Sequence, residues 1–285
     1  MRIISLSALI IAAGFLSNLV SAQDRFADVE IQSQHLGGSV YMMTGAGGNI
    51  GVSAGDEGLL IIDDQFEPLA EKISNALDQI VKGKLRYVIN THYHGDHTGS
   101  NVYMREVRDA TVFAHDNVRT RLASKPDHKH AELPVVTYAQ SVNIHFNGET
   151  LDVFHLSYAH TDGDSAVYFK QADVLHAGDV FFKDRFPYID LDAGGSVAGY
   201  IAGVEHLLTL VSDQTKIIPG HGDLANKADM QRFVDMIKAT SAEVKQHKIN
   251  GMTVDDIVDA GLDEQWKDWA WQFISEEKWI KTLYQ

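Results

Sequence analysis

The sequence contains no cysteine. Disulfides and lipid attachment at a cysteine are thereby excluded, and any metal site must be assembled from His, Asp and Glu alone. Proline is scarce, at 5 in 285 residues, and no Pro- or Ser-rich linker or block of like charge divides the chain. Positive charge is also short. Against 39 Asp and Glu stand 24 Lys and Arg, a formal charge of −15. A chain of that sign is poorly suited to nucleic acid or an anionic membrane surface as partner.

Long apolar runs are absent but for one, at the start. "MRIISLSALIIAAGFLSNLVSAQ" has a single positive charge at Arg2, an apolar stretch to about Val20, and Ser21 flanked by Val20 and Ala22. That small-x-small end resembles a signal peptidase site after Ala22. Ser5, Ser7, Gly14, Ser17 and Asn18 interrupt the run, whereas a firm membrane span wants about 20 apolar residues. The expectation is a signal peptide over 1–22, export to the periplasm, and no stable membrane association after cleavage. Residues 23–285 then form one large domain.

Short apolar runs alternate with turns and helical stretches. "GNIGVSAGDEGLLIIDD" reads as a hairpin feeding a buried strand, Leu59 to Ile62. "PLAEKISNALDQIV" places Leu69, Ile73, Leu77 and Ile80 at helical spacing. "KLRYVINTHYH" reads as a buried strand ending in histidines. In the C-terminal "DEQWKDWAWQFISEEKWIKTLY", Trp266, Ala270, Phe273 and Ile280 fall near one helical face and are read as core packing. Strands flanked by helices imply an α/β fold, either an αββα layered sandwich or a parallel sheet.

The chemistry concentrates in loops after strands. "NTHYHGDHTGSN" crowds His92, His94, Asp96 and His97 into six positions. Histidine is the commonest metal ligand and carboxylate a natural companion for a hard or borderline cation. "SYAHTDGDSAVYF" adds His160, "LHAGDVFF" adds Asp179, and "IIPGHGD" adds His221. His35, His115, His145, His155, His176, His206 and His247 stand alone and are read as structural or exposed. The "HKH" at 128–130 lies in a polar, lysine-bearing segment and is read as surface loop.

His-x-His-x-Asp-His followed in order by His160, Asp179 and His221 resembles the ligand set of the metallo-β-lactamase superfamily. The similarity covers nearly all of the chain after the signal peptide, from "GNIGV" to "PGHG". The resemblance implies an αββα sandwich of two similar halves and two zinc ions. His92, His94 and His160 would hold the first, Asp96, His97 and His221 the second, with Asp179 bridging. Asp63 in "LIIDD" would orient the loop of His92. Two zincs about 3.5–4 Å apart can share a water and lower its pKa toward neutrality. Asp96 could orient that water. A closed structural zinc site, usually cysteine-rich, fits so many ligands poorly.

The implied reaction is hydrolysis of a cyclic amide, ester or thioester in a small-molecule substrate. True β-lactamases generally carry cysteine or serine where Asp179 stands, and an aspartate there resembles glyoxalase II and lactonases. Weak β-lactamase activity at most is expected. Lys183 and Arg185 in "GDVFFKDRFPYID" are candidates to pair with a substrate carboxylate. The alternative on the same fold is a mononuclear iron persulfide dioxygenase-like oxidoreductase. Diiron oxygen reductases of this superfamily fit less well, since they typically carry Glu where His94 stands and append a flavin domain.

Overall fold

The computed structural model describes residues 25–285, so the expected signal peptide over 1–22 lies outside the described residues. Two sheets form. The first runs in chain order through β1 (Gln32–Gly37), β2 (Val40–Thr44), β3 (Ile50–Gly55), β4 (Gly58–Ile62), β5 (Leu85–Asn90), β6 (Thr111–His115) and β7 (Val136–Tyr138). Its first four strands pair antiparallel and the rest join parallel. In the second, β8 (Ser141–Phe146), β9 (Glu149–His155), β10 (Ser165–Phe169) and β11 (Val174–His176) pair antiparallel, and β12 (Lys216–Ile218) lies parallel to β11.

Local sequence accounts for these elements. Every residue of β4 is buried, as an unbroken apolar run between parallel and antiparallel neighbours requires. Asn147 and Gly148 both have positive φ, 52° and 76°, the two-residue turn whose twist matches a β8–β9 hairpin. The α-helices of six or more residues are α1 (Ala70–Ile80), α2 (Asn101–Glu106), α3 (Asp116–Ser124), α4 (Val197–Leu210), α5 (Lys227–Ile249), α6 (Val254–Ala260) and α7 (Glu276–Tyr284), and a single helical turn spans Gly95–Thr98. In α1, Ile73 and Leu77 face inward as their spacing predicts. No helix of the described residues is long and apolar enough to cross a membrane.

Three apolar layers make the sandwich. Ile73, Leu77 and Met104 pack on Val52, Ile61 and Val88 at the outer face of the first sheet. Ile62 and Ile89 meet Val153, Val167 and Ile218 between the sheets. Tyr200, Val204, Phe233 and Ile237 cover the far face of the second. The result is αββα, with every strand that leads into a histidine loop ending at one edge.

The C-terminal stretch departs from its expected helical face. Asp263 caps a 3-10 turn over Glu264–Trp269, and Ser275 accepts from the Lys278 amide to start α7 afresh. Two caps so close together restart the helical phase, leaving 270–275 outside any helix and bent at 272–274. Ile280 is buried as expected, but Ala270 is exposed and Phe273 is 53% exposed; Trp269, Ile274 and Trp279 are the other buried residues of this stretch. His128 and His130 are exposed, as a surface loop requires, while His176 is fully buried with Nε2 3.1 Å from the Asn49 carbonyl.

Trp279 fastens α7 to the core. It has no exposure, stacks on Phe186 at 5.7 Å, and donates from Nε1 to Thr240 Oγ1 at 3.1 Å. Trp279→Ala should lower the unfolding free energy by about 3–5 kcal/mol. Urea unfolding followed by circular dichroism reads this, and a loss well under about 1 kcal/mol would show that α7 is not held by this ring.

Candidate metal centre

All seven expected ligands come together where four strands end. The loop after β5 brings His92, His94, Asp96 and His97; His160 lies between β9 and β10; Asp179 follows β11 and His221 follows β12. Two groups of donor atoms result, His92–His94–His160–Asp179 and Asp96–His97–His221, with donors in each group within 4.8 Å of one another. Asp179 joins them. Its Oδ1 is 3.1 Å from His97 Nε2, and its Oδ2 is 3.4, 3.6 and 3.8 Å from Nε2 of His221, His160 and His92. Asp96 Oδ2 lies 3.3 Å from His221 Nε2 and 3.7 Å from His97 Nε2.

The imidazoles are aimed by hydrogen bonds on their outer nitrogens. Asp63 accepts from the Thr91 amide at 2.7 Å, the Thr91 hydroxyl at 2.8 Å and His97 Nδ1 at 2.7 Å. Because Thr91 gives its hydroxyl proton to Asp63, it accepts from His92 Nδ1 at 3.0 Å. His160 Nδ1 donates to the Tyr188 carbonyl at 2.7 Å, and His94 Nε2 donates to Asp190 at 2.9 Å. Each of the four rings therefore turns its other nitrogen toward the centre, where His160 Nε2 and His94 Nδ1 lie 2.9 Å apart. His92 Nε2, His97 Nε2 and Asp179 Oδ1 are buried without any hydrogen-bond partner. Buried polar atoms left so, clustered with the other donors, are the mark of a cation site, and an all-His/Asp donor set suits a zinc- or iron-type divalent ion.

Protonation follows from this crowding. Burial alone would raise Asp179, yet the His97, His221 and His92 rings hold it well below the usual carboxylate range. Burial depresses His92, joined by the His97 charge, and takes His160 down to about 4. Burial opposes protonation of His97 and His221 too, but Asp179 and Asp96 outweigh it, lifting His97 well above 6.5 and His221 to about 9. Without a cation, protons on His97 and His221 balance the carboxylates.

Two glycines make room. A Cβ at Gly48 would strike the His97 ring, and one at Gly220 would strike Asp179 Oδ1. The "GNIG" and "PGHG" segments are glycine-rich because backbone packs directly on ligand side chains. They are also tied together. Asn49 donates from Nδ2 to the carbonyls of Pro219 and Gly222, both at 2.8 Å, and its amide donates to Gly220 at 2.8 Å.

The sequence reading missed Asn49 and Asp190. Asp190 also accepts from the Tyr93 hydroxyl at 2.7 Å, and "YIDLD" offers no ligand spacing that would single it out. Asp63 acts on more than the loop of His92, since its bond to His97 reaches the second group directly. Lys183 is engaged elsewhere, with Nζ 2.9 Å from the Leu224 carbonyl and 3.6 Å from Asp229. Arg185 lies over Trp271 at 5.0 Å. Neither lines the cleft of about 930 Å³ above the centre, whose walls include Arg25, Phe66, Phe182, Tyr188, Trp271 and Phe273.

A chain with this fold and donor set has counterparts. The sequence profile of the metallo-β-lactamase superfamily matches residues 44–221, and the protein belongs to that family. A hydroxyacylglutathione hydrolase of Crocosphaera subtropica is 29% identical over 195 residues, 61% of this chain and 69% of that one. The probable metallo-hydrolase YqgX of Bacillus subtilis is 28% identical over 193 residues, 62% of this chain and 90% of its own length. Among solved structures, a metallo-β-lactamase from Pontibacter korlensis superimposes with a TM-score of 0.64 at 17% identity, over 73% of this chain and 99% of that one. At that identity the likeness concerns the fold, αββα as expected.

The protonation pattern sets how metal uptake responds to pH. A group raised to about 9 is protonated at pH 7 and neutral above 9, so a cation binding near pH 7 displaces protons from His221 and His97. Calorimetric titration of metal-free protein, repeated in buffers of different ionisation enthalpy, should show proton release that shrinks as pH passes about 9. Heats independent of buffer at pH 7 would contradict it.

Proposed function

We propose that this protein is a zinc-dependent hydrolase holding two ions and cleaving a cyclic amide, ester or thioester in a small molecule. The observation that carries this reading is the pair of donor groups sharing Asp179 at the floor of one open cleft. Bound divalent ions would supply a water of lowered pKa and polarise a carbonyl oxygen. His92, His94 and His160 would hold one ion and Asp96, His97 and His221 the other, with Asp179 between them. Of the two carboxylates that line the cleft Asp96 is the more open, its side chain 25% exposed against 5% for Asp179. Its Oδ2 is placed to accept a hydrogen bond from an attacking water and fix the direction of attack. Asp63, Asp190 and the Tyr188 carbonyl keep the ligand rings from rotating. Hydrolysis of thioesters or lactones is favoured over lactams, because Asp179 stands where β-lactamases carry cysteine or serine. The likeness to a hydroxyacylglutathione hydrolase, a thioesterase by name, agrees with this order.

Metal analysis together with a hydrolysis panel of lactams, lactones and thioesters tests the reading. Zinc-loaded protein should carry about two ions, fall to about one in His221→Ala, and lose turnover on chelation. Saturation at one ion in the wild type, unchanged by that substitution, would remove the dinuclear reading. A single iron with sulfur-oxidising activity would replace it with the dioxygenase.

A further test falls on Asp179. Its two oxygens face different partners, Oδ1 toward His97 and Oδ2 toward His221, His160 and His92, whereas a cysteine offers one sulfur. In excess zinc, Asp179→Cys should lower thioester or lactone turnover on the order of ten-fold or more, while β-lactam hydrolysis is kept or raised. Efficient wild-type lactam hydrolysis abolished by the substitution, at full zinc occupancy, would reverse the ranking of substrates.

A further inference from the structure

One wall of the cleft lies outside the stretch shared with the family, which ends at residue 221. Trp271 and Phe273 come from the bent, non-helical segment between the 3-10 turn and α7. With Tyr188 they form a continuous aromatic surface. The Phe273 ring meets Tyr188 edge-on at 5.5 Å and lies 5.7 Å from Trp271. Trp271 lies 6.1 Å from the His221 ring, and Tyr188 lies 5.7 Å from both His94 and His160. Each donor group therefore has an aromatic face one ring away.

The surface is held in place, not left loose. Trp271 donates from Nε1 to the Phe186 carbonyl at 2.9 Å, and the Arg185 guanidinium covers it at 5.0 Å. Lys278 Nζ sits 4.1 Å above Phe273 and 5.2 Å from Tyr188. Phe273 nonetheless remains 53% exposed at the cleft mouth. The segment is closed by the Trp271 amide donating to the Ile274 carbonyl at 3.0 Å and flanked by elements capped at Asp263 and Ser275, so its local fold does not depend on an apolar side chain at position 273. An apolar ring fixed half in water beside a site of small-molecule size is the usual composition of a ligand wall.

We infer that Trp271, Phe273 and Tyr188 form a subsite for an aryl, or comparably flat apolar, group flanking the scissile bond. The inference rests on the hydrolase reading and narrows its substrate class to aryl-bearing thioesters, esters or lactams. Ring-on-ring packing and water exclusion provide the selectivity, and the gain over a methyl group is on the order of ten- to a hundred-fold.

Two pairs of thioesters test it on the full zinc-loaded chain: phenylacetyl against acetyl thioesters of N-acetylcysteamine, and S-benzyl against S-ethyl thioacetate. The wild type should prefer the aryl member of at least one pair in kcat/KM by about ten-fold or more. Phe273→Ala and Trp271→Leu should each cut that ratio several-fold, whereas Ile249→Ser, at a residue 68% exposed on α5, leaves it unchanged. A merely structural role would lower both members of a pair alike, and an unaltered ratio in both variants overturns the subsite. Binding is read separately by calorimetry. Phenylacetate should bind the zinc-loaded protein about ten-fold more tightly than acetate, and Phe273→Ala should erase the difference. Should no thioester, lactone or lactam be turned over, the hydrolase reading fails while binding still decides the subsite: phenylacetate no tighter than acetate overturns it.

Discussion

Asp63 is the constraint on which the rest of the centre depends. Its carboxylate has no exposure, and burying such a group costs several kcal/mol unless each oxygen is satisfied. Three donors satisfy it, the Thr91 amide, the Thr91 hydroxyl and His97 Nδ1. That settlement has two effects. It fixes the tautomer of His97 directly, and through the shared hydroxyl it fixes that of His92. Asp63 reaches this position at a φ of 64°, a left-handed turn that Asp tolerates better than most residues and that the surrounding bonds hold in place. The Tyr188 carbonyl and Asp190 repeat the device for His160 and His94. Each anchored ring spends one nitrogen on the scaffold and keeps the other for the centre.

Much of this was legible in the sequence, for a physical reason. The ligands are short-range signals, with four of them in six consecutive positions and the others in glycine-marked turns after apolar runs. Strand identity was equally plain where burial is two-sided, as in β4 and β5. What escaped were residues defined only by partners far along the chain. Asp190 serves His94 from 96 positions away, and Asn49 binds Pro219 from 170 positions away. No local spacing records such pairs. The C-terminal segment misled for the opposite reason: apolar residues at nearly helical spacing mask two caps that reset the phase, and Phe273 emerged at the surface. Lys183 and Arg185 were read as candidates from type and proximity, yet Leu224, Asp229 and Trp271 engage them in space.

The centre and the wall above it divide the chemistry between sheet-borne and loop-borne parts of the molecule. Donor atoms come from strand ends locked between two sheets, whereas Trp271 and Phe273 hang from a short stretch bounded by caps. Rigid support suits groups that must hold a cation's geometry to fractions of an ångström. A loop-borne wall can change its side chains without disturbing the sandwich. Arg25, which lines the cleft, and Arg185 and Lys278, which lie over its aromatic rings, make no ion pair among the described residues.

Asn49 ties the turn before β3 to the loop that carries His221, joining the first sheet to the last strand of the second. Neither sheet alone owns a complete donor group, since Asp179 and His160 come from one and His92 and His94 from the other. Completing the centre thus requires closure of a loop of well over a hundred residues between β5 and β12. The donor set therefore reports on docking of the two sheets: the loop after β5 alone carries four of the seven donors, and His160, Asp179 and His221 join them only when the second sheet is in place.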